Sequence, residues 1–125
     1  LSPTPDQIGS RGWDAALPRI VSWLRLKDRP SGKTLTVLNT HFDHRGETAR
    51  RESATFLVRQ LQQSFTEGPV VLTGDFNATP DSEPYRILTS RATDLRGFRD
   101  SYVTTATKPE GPASTWNGFE AIVPD

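Results

Sequence analysis

The chain has 125 residues, zero formal net charge, 34% apolar residues, ten prolines, nine glycines and no cysteine. That length suits one domain or most of one, and the low apolar fraction implies a thin core among many loops. Zero net charge excludes a global basic field that would grip nucleic acid, the lack of cysteine excludes disulfides and thiolate metal sites, and no apolar run reaches the ~18 residues of a membrane span.

Residues 1–12, with Pro3 and Pro5, read as loop. Residues 19–27 read as a strand of mixed faces, residues 28–33 as a hairpin turn around Pro30, Ser31 and Gly32, and residues 34–40 as the returning strand. The β-branched Thr34, Thr36, Val37 and Thr40 suit a pleated surface. Residues 47–65 carry the clearest helical pattern, with Ala54, Leu57, Val58, Leu61 and Phe65 on one stripe, Glu47 placed four before Arg51, and Gly68-Pro69 as the stop. Residues 70–73 read as a short buried strand. Ser82 is placed to cap a short helix to about Ser90, with Pro84 in its first turn. Beyond Ala92 the signal fades into a polar loop over 104–114, and residues 114–116 are expected to start another strand. The first 62 residues carry +4 and the remainder −4, a polarity read as ordinary surface. With no methionine, a loop at Leu1 and an apolar run just before Asp125, the chain reads as an internal piece of a longer protein, a single partial domain over 1–125.

Two segments carry the chemistry. Asn39-Thr40-His41-Phe42-Asp43-His44 and Thr73-Gly74-Asp75-Phe76-Asn77 each follow an apolar run, so each puts His, Asp or Asn at a strand end. Asp75 and Asn77 lie two apart and face one side if the backbone stays extended. A carboxylate there can hold Mg²⁺ or orient a water, and an amide can hold a phosphate oxygen without repelling it. Asp and Asn before Pro80 are equally common turn formers. An imidazole at His41 can bond a phosphate or assist a leaving group, or be satisfied by Asn39 or Asp43. Asp43 shares its face and can orient it, or can cap the loop leading to Glu47. Arg45 is a candidate for a substrate phosphate, Arg50 reads as helix surface or an ion pair, and Arg51 and Glu52 as partners of these loops. His41-x-x-His44 has zinc-like spacing, but without Cys or a third His a structural zinc site is not supported. Trp13, Trp23 and Trp116 read as core or rim packing, with base stacking by Trp13 and Trp116 as the other use. No cysteine and no Gly-x-Ser-x-Gly elbow leave a thiol or serine nucleophile unsupported.

Taken together, Gly12-Trp13-Asp14 through Arg19 and Trp23, the His41-x-Asp43-His44 segment, Arg51-x-Ser53-Ala54, and Gly74-Asp75-Phe76-Asn77-x-x-Pro80 resemble the endonuclease/exonuclease/phosphatase superfamily over most of residues 10–120, in the family's order. The resemblance implies a four-layered α/β-sandwich of the deoxyribonuclease-like type, present here in part. It also implies Mg²⁺- or Mn²⁺-dependent hydrolysis of a phosphodiester or phosphomonoester by an activated water. By position it makes His41, Asp75 and Asn77 catalytic: His41 at the phosphate or leaving oxygen, Asp75 on the water or a metal, and Asn77 on the scissile phosphate. Asp75 and Asn77 are its metal-side candidates, and Asn39, Asp43 and Arg45 the substrate-side ones. The family's metal-binding Glu and its closing Asp-His segment are expected outside residues 1–125. The substrate is a small phosphate ester, a lipid headgroup or a nucleic acid, the protein is expected to be a monomer without a transmembrane segment, and the compartment stays open. The competing expectation is a binding or scaffold module that keeps the fold without the chemistry.

Overall fold

Strand β1, Val21–Lys27, turns back into β2, Thr34–His41, through the expected hairpin. The turn closes because Gly32 N–H donates to the Asp28 carbonyl at 2.8 Å, Ser31 N–H donates to the Asp28 carboxylate at 2.9 Å, and Gly32 takes a φ of 69° that favours glycine. These strands belong to a computed structural model that describes residues 1–90, 97–107 and 109–111. The strand expected at 114–116 lies outside the described residues.

Helix α1, Glu47–Gln63, crosses from β2 to β3, Val70–Asp75, which runs parallel to β2. The sheet order is β1-β2-β3, with β1 antiparallel to β2, so β2 is central. Its face period of two explains its burial: Thr36, Leu38 and Thr40 are buried under the helices, while Asn39 and His41 are exposed on the opposite face. The core joins Leu38 of β2 and Phe42 to Ala54, Leu57 and Val58 of α1, with Phe65 and Leu88 at its margins. The helix ends two residues earlier than its apolar stripe predicts. Phe65 leaves the helix and packs edge-on against Trp23, with ring centroids 5.2 Å apart.

Helix α2, Glu83–Leu88, follows with Pro84 in its first turn and lies against α1. Ser82 occupies the N-cap position, but its hydroxyl does not cap; it donates to the Thr79 carbonyl at 2.6 Å. A one-turn helix, α3, Ser101–Thr104, was not legible in the polar sequence there. Asp100 caps it through Tyr102 N–H at 2.8 Å, and Tyr85 of α2 donates to the same carboxylate at 2.9 Å.

The described residues therefore form a mixed α/β unit, one sheet with helices on one face, the class the resemblance implies. Of the four layers of the full sandwich they supply one sheet and the helices beside it. The other sheet face carries Leu24, Leu26 and Val71, which are 51%, 49% and 43% exposed.

Candidate active site

The site lies where β2 and β3 end together. His41 and Asp75 are register partners, the last pair of the parallel ladder, so both side chains leave the open face at the carboxyl ends of neighbouring strands. His41 Nε2 lies 3.6 Å from Asp75 Oδ2, and the two side chains are 55% and 63% exposed. The approach of β3 to β2 at this point requires Gly74. It takes a φ of 141°, and a Cβ there would sit 1.8 Å from the Thr40 carbonyl oxygen. One step further, Phe42 N–H donates to the Asp75 carbonyl at 2.8 Å, which pins the strand ends together.

Beyond Asp75 the chain turns rather than continuing extended. Asn77 adopts the left-handed region at φ 45°, its N–H donates to Asp75 Oδ1 at 2.9 Å, and its side-chain Nδ2 donates to the Phe42 carbonyl at 3.0 Å. Asn tolerates this conformation better than most residues. The expectation that Asp75 and Asn77 share a face through extended backbone is thus corrected: a turn, not the strand pleat, brings them together. The Phe42 and Phe76 rings meet edge-on beneath, with centroids 5.4 Å apart, and hold both loops. One N–H of the Asn77 amide and its Oδ1 remain for a ligand.

Two register pairs behind, Asn39 Nδ2 donates to Thr73 Oγ1 at 2.9 Å, and that hydroxyl donates to the Leu38 carbonyl at 3.1 Å. Asn39 thus stands on the same open face as His41 and is neither its partner nor distant from it.

Asp43 departs from its expected placement beside His41 or a substrate. It is buried, 1% exposed, and turned inward. Oδ1 accepts from the N–H groups of Arg45 at 2.9 Å and Gly46 at 2.8 Å, and Oδ2 accepts from Leu17 N–H at 3.1 Å and Arg19 Nε at 3.4 Å. Burial pushes this carboxyl up, but the backbone N–H groups of Gly46, Arg45, Ala16 and Leu17 aimed at it outweigh burial and hold it well below the usual carboxylate range. Of its two readings, capping the loop into α1 is the one the geometry realises. His41 finds Asp75 instead of Asn39 or Asp43, because the parallel register sets those two ends side by side.

Arg50 Nη1 donates to the Asp43 carbonyl at 3.0 Å. Arg51 and Glu52 pair with each other at 3.0 Å and not with the loops. Arg45 is exposed next to the site, and Trp13, 38% exposed, sits at a rim with a φ of 55°. Trp116 lies outside the described residues.

Sequence reasoning gave no role to two residues that it named only as part of the motif, Asp14 and Arg19. Helix α1 begins at Gly46, which offers no side-chain cap, and Asp14 supplies one from the preceding loop: its carboxylate accepts from Ala49 N–H at 2.7 Å and Thr48 N–H at 3.1 Å. A Cβ on Gly46 would come within 2.6 Å of that carboxylate, so the only local signal was a glycine where a capping side chain is usual. Arg19 is the other. It reaches Asp43 with Nε and His44 Nδ1 with Nη2, the latter at 3.0 Å.

Among the described residues, no three His, Cys, Asp or Glu side chains gather into a metal cluster. A hard cation that keeps several waters and shares a site with phosphate oxygens needs only one or two protein carboxylates. Asp75, with its exposed carboxylate, and the neutral Oδ1 of Asn77 are the groups here that could hold such a cation.

The sequence profile of the Endonuclease/Exonuclease/phosphatase family matches residues 4–122. A solved endonuclease/exonuclease/phosphatase from Bacteroides vulgatus is 42% identical, superposes with a TM-score of 0.77, and shares 84% of this chain but 39% of its own. A mannosyl-6-phosphatase from Bacteroides thetaiotaomicron VPI-5482 is 41% identical with a TM-score of 0.57, over 64% of this chain and 31% of its own. Protein angel of Drosophila melanogaster is 32% identical over 102 residues, 78% of this chain and 29% of that protein. The chain spans well under half the length of each of these relatives. The profile match across nearly the whole chain and the shared fold lead to one assignment: the chain belongs to the endonuclease/exonuclease/phosphatase family.

Proposed function

We propose that these residues are part of a divalent-metal-dependent phosphoesterase that hydrolyses a phosphate ester with an activated water. The observation that carries the reading is the pairing of His41 with Asp75 at adjacent strand ends, 3.6 Å apart, with Asn77 tied back to both strands. The phosphatase and nuclease names among the relatives supply the reaction class.

Each group has a task set by its remaining valence. Asp75 accepts a hydrogen bond from the attacking water or ligates the cation; the Asn77 N–H not used by Phe42 donates to a phosphate oxygen. His41 Nε2 donates to the leaving oxygen, and Asn39 and Arg45 contact the substrate on either side. A bound Mg²⁺ or Mn²⁺ supplies charge neutralisation at the phosphate and a more acidic water. Asp43 serves as the anchor of the loop that carries His44 and Arg45. The remaining ligands and a second sheet over the open face come from further segments of a longer chain, so residues 1–125 are a partial domain. The likeness to a mannosyl-6-phosphatase directs the first test toward small phosphomonoesters.

The full-length protein is assayed with p-nitrophenyl phosphate and bis-p-nitrophenyl phosphate in Mg²⁺ or Mn²⁺, with and without EDTA. Turnover abolished by EDTA and by Asp75→Ala supports the reading. Turnover untouched by chelation overturns the metal requirement. No turnover on any phosphate ester favours the scaffold alternative.

A further inference from the structure

His41 and His44 stand three residues apart, yet their surroundings differ in kind. His41 faces a carboxylate, an acceptor, so the nitrogen turned toward it, Nε2, is the one favoured to carry the hydrogen. His44 faces a guanidinium: Arg19 Nη2 lies 3.0 Å from His44 Nδ1. Arginine has only donors, so in this contact Nδ1 must offer its lone pair. The neutral ring then carries its hydrogen on Nε2. Arg19 is itself held in place, because its Nε bonds the buried Asp43 carboxylate at 3.4 Å and its side chain is only 13% exposed. Asp43 is fixed in turn by backbone N–H groups, among them those of Leu17, Arg45 and Gly46. His44 itself is exposed, on the loop that leaves the His41 end of β2.

We propose that Asp43 and Arg19 are positioning residues that fix one tautomer of His44, and that His44 Nε2–H binds a phosphate-borne oxygen of the substrate. The proposal rests on the phosphoesterase reading and adds a residue to it. The chemistry points to an anionic oxygen, since the ring presents a donor and the Arg19 guanidinium lies against its other nitrogen. It also excludes His44 as a general base: Nδ1 is occupied and Nε2 already bears the hydrogen.

The test uses the full-length protein. Its ¹⁵N-histidine spectrum should show His44 with an unprotonated Nδ1 and a protonated Nε2; the opposite tautomer overturns the proposal. His44→Ala should raise KM, and the inhibition constant of inorganic phosphate, about tenfold with kcat little changed, the loss expected for one hydrogen bond to a charged group. His44→Gln, whose amide places an N–H near Nε2, should recover most of the loss. An unchanged KM in His44→Ala, or a Gln variant as impaired as Ala, overturns the role. An altered KM with unaltered phosphate inhibition overturns the phosphate oxygen as its target. If the unsubstituted protein turns over no phosphate ester, the proposed function itself fails, and this role with it.

Discussion

At the scale of single residues, the site depends on a few atoms with no alternative. Among the described residues Asp75 is the exposed carboxylate at the joined ends of β2 and β3, and Asp75→Ala should lower kcat/KM of the full-length protein by about 100- to 1,000-fold without changing its melting temperature much. Near-normal turnover in that variant removes Asp75 from the chemistry. Gly74→Ala should cost at least ~1–3 kcal/mol in stability, because φ 141° and a contact with the Thr40 carbonyl both forbid a Cβ; chemical denaturation reads it directly. Asp43 has a pH signature. Its folded-state value lies below that of an unfolded Asp, so the carboxylate stabilises the fold at neutral pH, and this contribution fades as pH falls from the ordinary carboxylate range toward the depressed value. Asp43→Asn should cost about 3 kcal/mol at pH 7 and flatten the acid limb of the stability profile. That His41, Asp75 and Asn77 come to neighbouring strand ends was legible in the sequence, because each follows an apolar run. The inward turn of Asp43 was not, since its partners Leu17 and Arg19 are 26 and 24 residues away.

At the scale of elements, periodicity carried most of the reading. The hairpin, α1 and the two parallel strands appear where apolar spacing and Gly or Pro stops put them. The misses have physical causes. Phe65 satisfies the helical stripe but is drawn out of α1 by Trp23, and α3 is one turn long with a cap that sequence cannot separate from a polar loop. The cap of α1 was invisible for another reason: Asp14 is 35 residues from Ala49, and no local pattern records a cap supplied from another segment. Asp14→Ala should loosen the start of α1 and lower the melting temperature, with Asp14→Asn milder. Leu57 is fully buried between helix and sheet, so Leu57→Ala should destabilise by ~2–5 kcal/mol in denaturant titration.

At the scale of the whole molecule, the sheet has one finished face and one open face. A stable domain covers both, and the open one carries Leu24, Leu26 and Val71 together with His41 and Asp75. Residues 1–125 expressed alone should associate in solution and show no metal-dependent nitrophenol release; robust turnover by that piece would place the whole active site within it. The four-layered architecture came from resemblance, since no pattern in one sheet announces the sheet that packs on it. The loop before β1 and the segment running from the end of β2 into the first turn of α1 are stitched together by five crossing bonds: Asp14 accepts from Thr48 and Ala49, Asp43 accepts from Leu17 and Arg19, and Arg19 meets His44. Neither loop can peel away without orphaning the other, so the two form one cooperative opening unit. In amide hydrogen exchange, Leu17, Gly46 and Ala49 should therefore share one protection factor, and a substrate that grips the second loop should slow exchange in the first.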